Sequence, residues 1–180
     1  MKSTTTIYAP KTLTLSTTSY TYNGKTKKPT VKVKDSKGNT ISSTHYTVSY
    51  ASGRKYVGKY KVTVKFRSTS SKYTGTMSTY FKINPKGTTL KTPTAGSKSF
   101  TAKWTKQSTQ TSGYQLQYST SSKFTSAKTV TISSNKTISK KITKLTAKKK
   151  YYVRIRTYKT VSGTKYYSAW SSTKTVTTKK

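Results

Sequence analysis

Tyr151-Tyr152-Val153-Arg154-Ile155-Arg156-Thr157-Tyr158 is the stretch on which the fold turns. Its residues alternate with a period of two, so Tyr151, Val153 and Ile155 share one side of an extended chain, while Tyr152, Arg154, Arg156 and Tyr158 share the other. Aromatic and β-branched residues dominate it, which suits a pleated surface with one buried face. Outward from this segment the same alternation recurs. In Tyr60-Lys61-Val62-Thr63-Val64-Lys65-Phe66 the apolar members fall on one face and Lys61, Thr63 and Lys65 on the other. One face is dry and one is wet.

Further runs predict strands at Thr12–Ser16, Thr30–Lys34, Thr40–Ser42, His45–Tyr50 and Met77–Ile83 in the first half. The second half has them at Ser97–Trp104, Gly113–Ser119, Lys128–Ile132, Thr137–Ile142 and Trp170–Thr177. Turn signals separate them, among them Asp35-Ser36-Lys37-Gly38-Asn39, where Asp heads the turn and Gly takes the left-handed position. Asn84-Pro85-Lys86-Gly87 interrupts the series, because Pro cannot donate to a ladder and Gly ends the run. The expected architecture is all-β: two consecutive immunoglobulin-like β-sandwich domains, 1–86 and 87–180.

Composition bounds the chemistry. The 180 residues include 37 Lys and Arg, a single acid (Asp35), a single His (His45) and no Cys, for a net charge of +36. Acid–base catalysis needs paired titratable groups with separated pKa values, and zinc or calcium sites need several His, Cys or carboxylate ligands. An Asp35–His45 pair orienting one of the 27 Ser is a chance constellation. The sequence therefore predicts no enzyme, no catalytic or metal residue and no cofactor. Sixteen Tyr, four Phe, two Trp and 40 Thr argue for folded sheets rather than disorder. The charge is spread evenly: residues 1–86 hold 17 Lys and Arg against Asp35, and residues 87–180 hold 20. No apolar run approaches the roughly 18 residues of a membrane span. Met1-Lys2 leads into Ser/Thr-rich sequence without the apolar core of a signal peptide, so the chain reads as a fragment if the protein is secreted.

The second half resembles a fibronectin type III domain. The resemblance rests on Trp104, Gly113-Tyr114-Gln115-Leu116-Gln117-Tyr118, Leu145 with Tyr151, then Val153, Ile155 and Thr157, and Tyr167-Ser168-Ala169-Trp170-Ser171, over about residues 88–178. It implies a tyrosine corner formed by Leu145 and Tyr151. Tyr167 to Ser171 also resembles the WSxWS box of cytokine-receptor domains, with Tyr in place of the first Trp. The first half resembles bacterial Ig-like repeats of surface proteins from Gram-positive gut bacteria. It does so through Tyr22-Asn23-Gly24, Pro29, His45-Tyr46-Thr47-Val48-Ser49-Tyr50, Val57-Gly58, Tyr73-Thr74-Gly75 and Phe81-Lys82-Ile83. Both resemblances imply a non-catalytic spacer or binding module at a cell surface or in a secreted protein, and a monomer is expected.

Two sets of candidate residues follow. Tyr152, Arg154, Arg156, Tyr158, Tyr167 and Trp170 form a candidate binding or stacking surface: the WSxWS resemblance implies that Arg154 and Arg156 interleave with Tyr167 and Trp170, and two of only four Arg sit there. Lys140, Lys141, Lys144, Lys148, Lys149 and Lys150 are candidate polyanion contacts. The loop Thr160–Lys165 carries Val161-Ser162-Gly163 and no Arg-Gly-Asp, so integrin recognition is not implied. Partners of two kinds are expected: anionic polymers held by charge, including non-specific nucleic acid, or a surface or host protein held by a Tyr-rich face or sheet edge. No helix-turn-helix, RNP motif or zinc finger is present.

Overall fold

Alternation is read out strand by strand in the computed structural model, which describes residues 8–70 and 72–180. Strand β1 spans Pro10–Leu15, β2 Ser19–Thr21, β3 Val31–Asp35, β4 Tyr46–Tyr50, β5 Gly58–Phe66 and β6 Thr76–Asn84. They form a two-stranded sheet, β1-β3, and a four-stranded sheet in the order β2-β6-β5-β4. Along β5, Val62 and Val64 are fully buried and Phe66 nearly so, while Lys59, Lys61 and Lys65 are exposed. Val33, Ile41, Tyr46, Val64 and Phe66 make the core here, with Leu13, Val31, Val48, Tyr73 and Met77 packed on it. Burying each such side chain contributes about 1.5–3 kcal/mol.

Strand β7 spans Thr94–Gly96, β8 Ser99–Lys103, β9 Gly113–Ser119, β10 Lys128–Ile132, β11 Ser139–Ile142, β12 Lys150–Val161, β13 Thr164–Tyr167 and β14 Lys174–Thr177. One sheet is β11-β8-β7; the other runs β10-β9-β12-β13, with β14 also paired to β12. Trp104, Phe100, Tyr114, Leu116, Val153 and Ile155 are buried between them. Tyr114 satisfies its hydroxyl inside the core: it accepts from Gln107 N–H at 2.8 Å and lies 3.1 Å from the Asn135 carbonyl. The chain separates into two compact units, residues up to Tyr20 with Gly24–Ile83, and Thr21–Asn23 with Asn84–Lys180. The fold is all-β, with no α-helix among the described residues.

Local departures from the expected strands have local causes. Thr40–Ser42 is not a strand; only Thr40 bridges Lys34, because the tight turn at Asp35 returns the chain for one pair. Ser42 caps a 3-10 turn at Ser43–His45, so the next strand starts at Tyr46. Thr160–Lys165 is not an open loop. Strand β12 runs to Val161 and β13 starts at Thr164, joined by Ser162 and Gly163, both left-handed (φ 45° and 77°) as a tight hairpin with right-handed twist requires.

Candidate functional site

On the outer face of β12, guanidiniums and rings interleave. The Arg154 guanidinium carbon lies 3.8 Å from the Phe124 ring centroid and 4.6 Å from that of Trp170. That of Arg156 lies 4.3 Å from Trp170 and 3.9 Å from Tyr167. The order is therefore Phe124, Arg154, Trp170, Arg156, Tyr167, with two rings against each guanidinium. Cross-strand register places the other half of the ladder: Arg154 stands opposite Gln117, and Arg156 opposite Gln115. Arg154 Nε donates to Gln117 Oε1 at 2.8 Å, and Arg156 donates through Nε and Nη2 to Gln115 Oε1 at 3.0 and 2.7 Å. Gln117 Nε2 continues to Thr129 Oγ1 on β10 at 3.2 Å. Burial pulls both arginines below the ordinary arginine pKa; for Arg156 the Tyr167 hydroxyl opposes that shift and the positive Arg154 adds to it. Each stack contributes about 0.5–1 kcal/mol.

Trp170 is held in place by serines rather than by a strand. Ile155 N–H donates to Ser171 Oγ at 3.1 Å, and Ser171 N–H donates to the Ile155 carbonyl at 2.7 Å. Thr157 N–H donates to Ser168 Oγ at 3.1 Å, and Ser168 N–H returns to the Thr157 carbonyl at 3.1 Å. The two serines thus imitate a strand edge along β12 while letting the Trp170 ring turn back over the sheet. The tyrosine corner is formed too: Tyr151 Oη accepts from Thr146 N–H at 3.2 Å, with Leu145 buried beside it.

Tyr158 differs from expectation. It is only 4% exposed, because its phenol lies over Gly113, its cross-strand partner, and its ring packs 6.2 Å from Tyr167. It is packing rather than accessible surface. Tyr152 remains half-buried, with Lys150 Nζ 5.3 Å from its ring. Phe124 had no sequence signal, since a left-handed residue (φ 58°) in the loop after β9 aims it at Arg154. Gln115 and Gln117 were legible as the outward members of Gly113–Ser119.

All six candidate lysines are exposed, but they do not form one surface. Lys140 and Lys141 are neighbours on β11 and project to opposite faces. Lys144 and Lys148 are left-handed loop residues (φ 58° and 50°), and Lys144 lines a cleft of about 220 Å³ with Lys128, Tyr118 and Tyr151. Lys149 N–H is tied to Thr178 Oγ1 at 3.0 Å, and Lys150 opens β12. The chain's single acid and single His serve the first unit's structure. Asp35 Oδ1 accepts from Lys37 and Asn39 N–H, both at 2.9 Å, and Oδ2 from Asn39 Nδ2 at 3.1 Å. Burial pushes the Asp35 pKa up, and these bonds outweigh it and hold the carboxyl below the usual range. His45 packs on Tyr73 with ring centroids 5.3 Å apart, and its Nδ1 lies 3.2 Å from Ser70 Oγ. Among the described residues no three His, Cys, Asp or Glu converge as metal ligands.

Two packed antiparallel sheets, a tyrosine corner and an arginine–aromatic ladder define the class as an immunoglobulin-like β-sandwich protein. The family described as Fibronectin type III domain matches residues 84–174, and the chain belongs to that family. Its domains are common non-catalytic binding or spacer modules. No curated protein matches the chain. Among solved structures, a two-domain fibronectin type III segment of chicken tenascin is similar in fold, with TM-score 0.51 and 17% identity over 94% of this chain and 99% of that one. The FN1–FN3 domains of chicken CNTN1 give TM-score 0.48 and 18% identity over 97% and 68%. A β-1,2-glucanase from Parabacteroides distasonis gives 0.44 and 14% over 67% and 18%. Among the described residues no helix is long and apolar enough to cross a membrane.

Proposed function

We propose that the chain is a non-catalytic, extracellular tandem module of a bacterial surface or secreted protein, a bacterial Ig-like domain at 1–86 followed by a fibronectin type III domain at 87–180. It spaces neighbouring parts of its parent protein and holds polyanions such as wall polymers, extracellular DNA or acidic glycans by charge. One observation carries the reading: 37 basic residues stand against a single acid, and that acid is spent inside its own turn. Binding by counterion release weakens steeply and linearly on a log–log scale with salt. Fluorescence anisotropy with heparin tests this, and an affinity unchanged between about 50 and 500 mM salt would reject it.

A second reading, a specific adhesin for a host glycoprotein or immunoglobulin, is favoured by Tyr56 and Tyr80, which stay 46% and 45% exposed. Tyr offers large contact area at low entropic cost. A one-to-one complex that survives high salt separates this reading from the first.

A further inference from the structure

We propose that the outer face of the β2-β6-β5-β4 sheet is the docking surface for an extended acidic polysaccharide. The inference rests on the polyanion reading above and gives it a place and a ligand chemistry. Register builds the surface. Lys59 stands opposite Lys82, Lys61 opposite Tyr80, Thr63 opposite Ser78 and Lys65 opposite Thr76, and β4 adds Ser49 opposite Thr63. The residues between them, Val62, Val64, Phe81 and Ile83, are buried, so this set projects outward together. The four lysines and Tyr80 are all exposed.

Like charges directly across a ladder destabilise it, and Lys59 faces Lys82. The chain's one acidic side chain is Asp35, already engaged by its own turn, so these cations gain nothing from an acidic side chain within the molecule. An anionic polymer laid along β5, where Lys59 to Lys65 span about 20 Å, relieves that repulsion at every step. The cations are all Lys, hydrated point charges suited to sulfate or carboxylate groups without fixed orientation. Tyr80 supplies one ring, with Lys59 Nζ 4.3 Å from its centroid, on which the apolar face of a sugar can rest. Ser49, Thr63 and Ser78 supply hydroxyls between the charges. Single-stranded nucleic acid is held instead by successive stacking platforms, and this face has one exposed ring.

The test uses the full chain, with a heparin oligosaccharide of defined length and a single-stranded oligo-dT of matched charge as probes. A variant carrying Lys59→Thr, Lys61→Thr, Lys65→Thr and Lys82→Thr is compared with one carrying Lys140→Thr, Lys141→Thr, Lys148→Thr and Lys149→Thr, which loses the same charge elsewhere. Circular dichroism melts confirm that both fold. The first variant is expected to bind heparin at least about tenfold more weakly than the second, with its log–log salt slope reduced by about one per lysine. Tyr80→Ser weakens heparin binding several-fold and leaves the slope unchanged. Equal losses in both quadruple variants mean that net charge alone binds, which overturns the surface and leaves the polyanion reading standing. Tighter binding of oligo-dT that Tyr80→Ser weakens overturns the polysaccharide. Salt-independent or absent binding of both probes by the parent chain overturns the polyanion reading and this inference with it.

Discussion

The outer faces of β12 and β5 occupy comparable positions in their sheets and use positive charge in opposite ways. On β12, Arg154 and Arg156 each lie against two rings and donate hydrogen bonds to a glutamine, so their charge has been converted into structure. On β5, Lys59, Lys61 and Lys65 are exposed beside Lys82, and Lys59 meets one ring, its Nζ 4.3 Å from the Tyr80 centroid. The difference follows from side-chain chemistry: a planar guanidinium stacks and donates in a fixed fork, while an ammonium remains a hydrated point charge. Arginine here is a building material and lysine is a field. Substitutions on the two faces therefore move different observables, stability on one and salt response on the other.

Trp170→Ala strikes the ladder at its centre. It removes the ring shared by both guanidiniums, and the two lost stacks plus the lost burial amount to about 2–3 kcal/mol. Both tryptophans lie in the second unit, so the fluorescence of Trp104 during urea unfolding reads the loss directly. A change below about 0.5 kcal/mol, the ordinary scatter of a surface substitution, would mean the ladder is decoration. Arg156→Lys is subtler. It keeps the charge but gives up the fork to Gln115 and the planar stacking between Trp170 and Tyr167, for a loss of about 1 kcal/mol. If Lys substitutes without loss, the contrast drawn between the two faces fails at its chemical root.

The ladder also marks how far the sequence could be read. Its fold was legible from Tyr151 to Tyr158 because period-two alternation survives any loop geometry. Arg154, Arg156, Tyr167 and Trp170 were legible as partners through the resemblance of Tyr167 to Ser171 to the WSxWS box, in which arginines and rings interleave. Phe124 was not, since a left-handed backbone in a Ser-rich loop decides where its ring points. Tyr158 misled because the alternation gives a side but not what covers it, and a glycine opposite left room for the phenol to lie flat. The lysines show the reverse error. Runs such as Lys140-Lys141 look concentrated in sequence yet diverge in space, whereas lysines spaced two apart on β5 look dilute and converge.

The first unit's response to acid is a smaller effect, carried by one group. The folded pKa of Asp35 lies below its unfolded value, so the stability it contributes is present above about pH 4 and is lost as pH falls through the folded pKa. Asp35 is the only acidic side chain, so the decline it causes in thermal melts should begin only below about pH 4. In Asp35→Asn the decline should disappear and the starting stability should be lower, because the Oδ2 that accepted from Asn39 has become a donor. A decline that persists in this variant would assign acid sensitivity to something other than the turn.

The smallest expected effect has the opposite sign to all of these. Replacing Lys59, Lys61, Lys65 and Lys82 by Thr removes a like-charge pair and two neighbours from a face without acids, and threonine suits a strand better than lysine. The first unit should gain a few tenths of a kcal/mol at low ionic strength, where repulsion across the sheet is least screened. Near 1 M salt the Debye length falls to about 3 Å, and the gain should shrink to the propensity contribution alone. The Trp170→Ala loss should meanwhile stay nearly constant with salt, because its stacks are partly buried and screened far less. Thermal melts of both variants across one salt series thus place the two faces on the same axis. If the lysine variant is less stable than the parent at low salt, those side chains pack or pair in ways that make them structure, and the division of labour between the faces collapses.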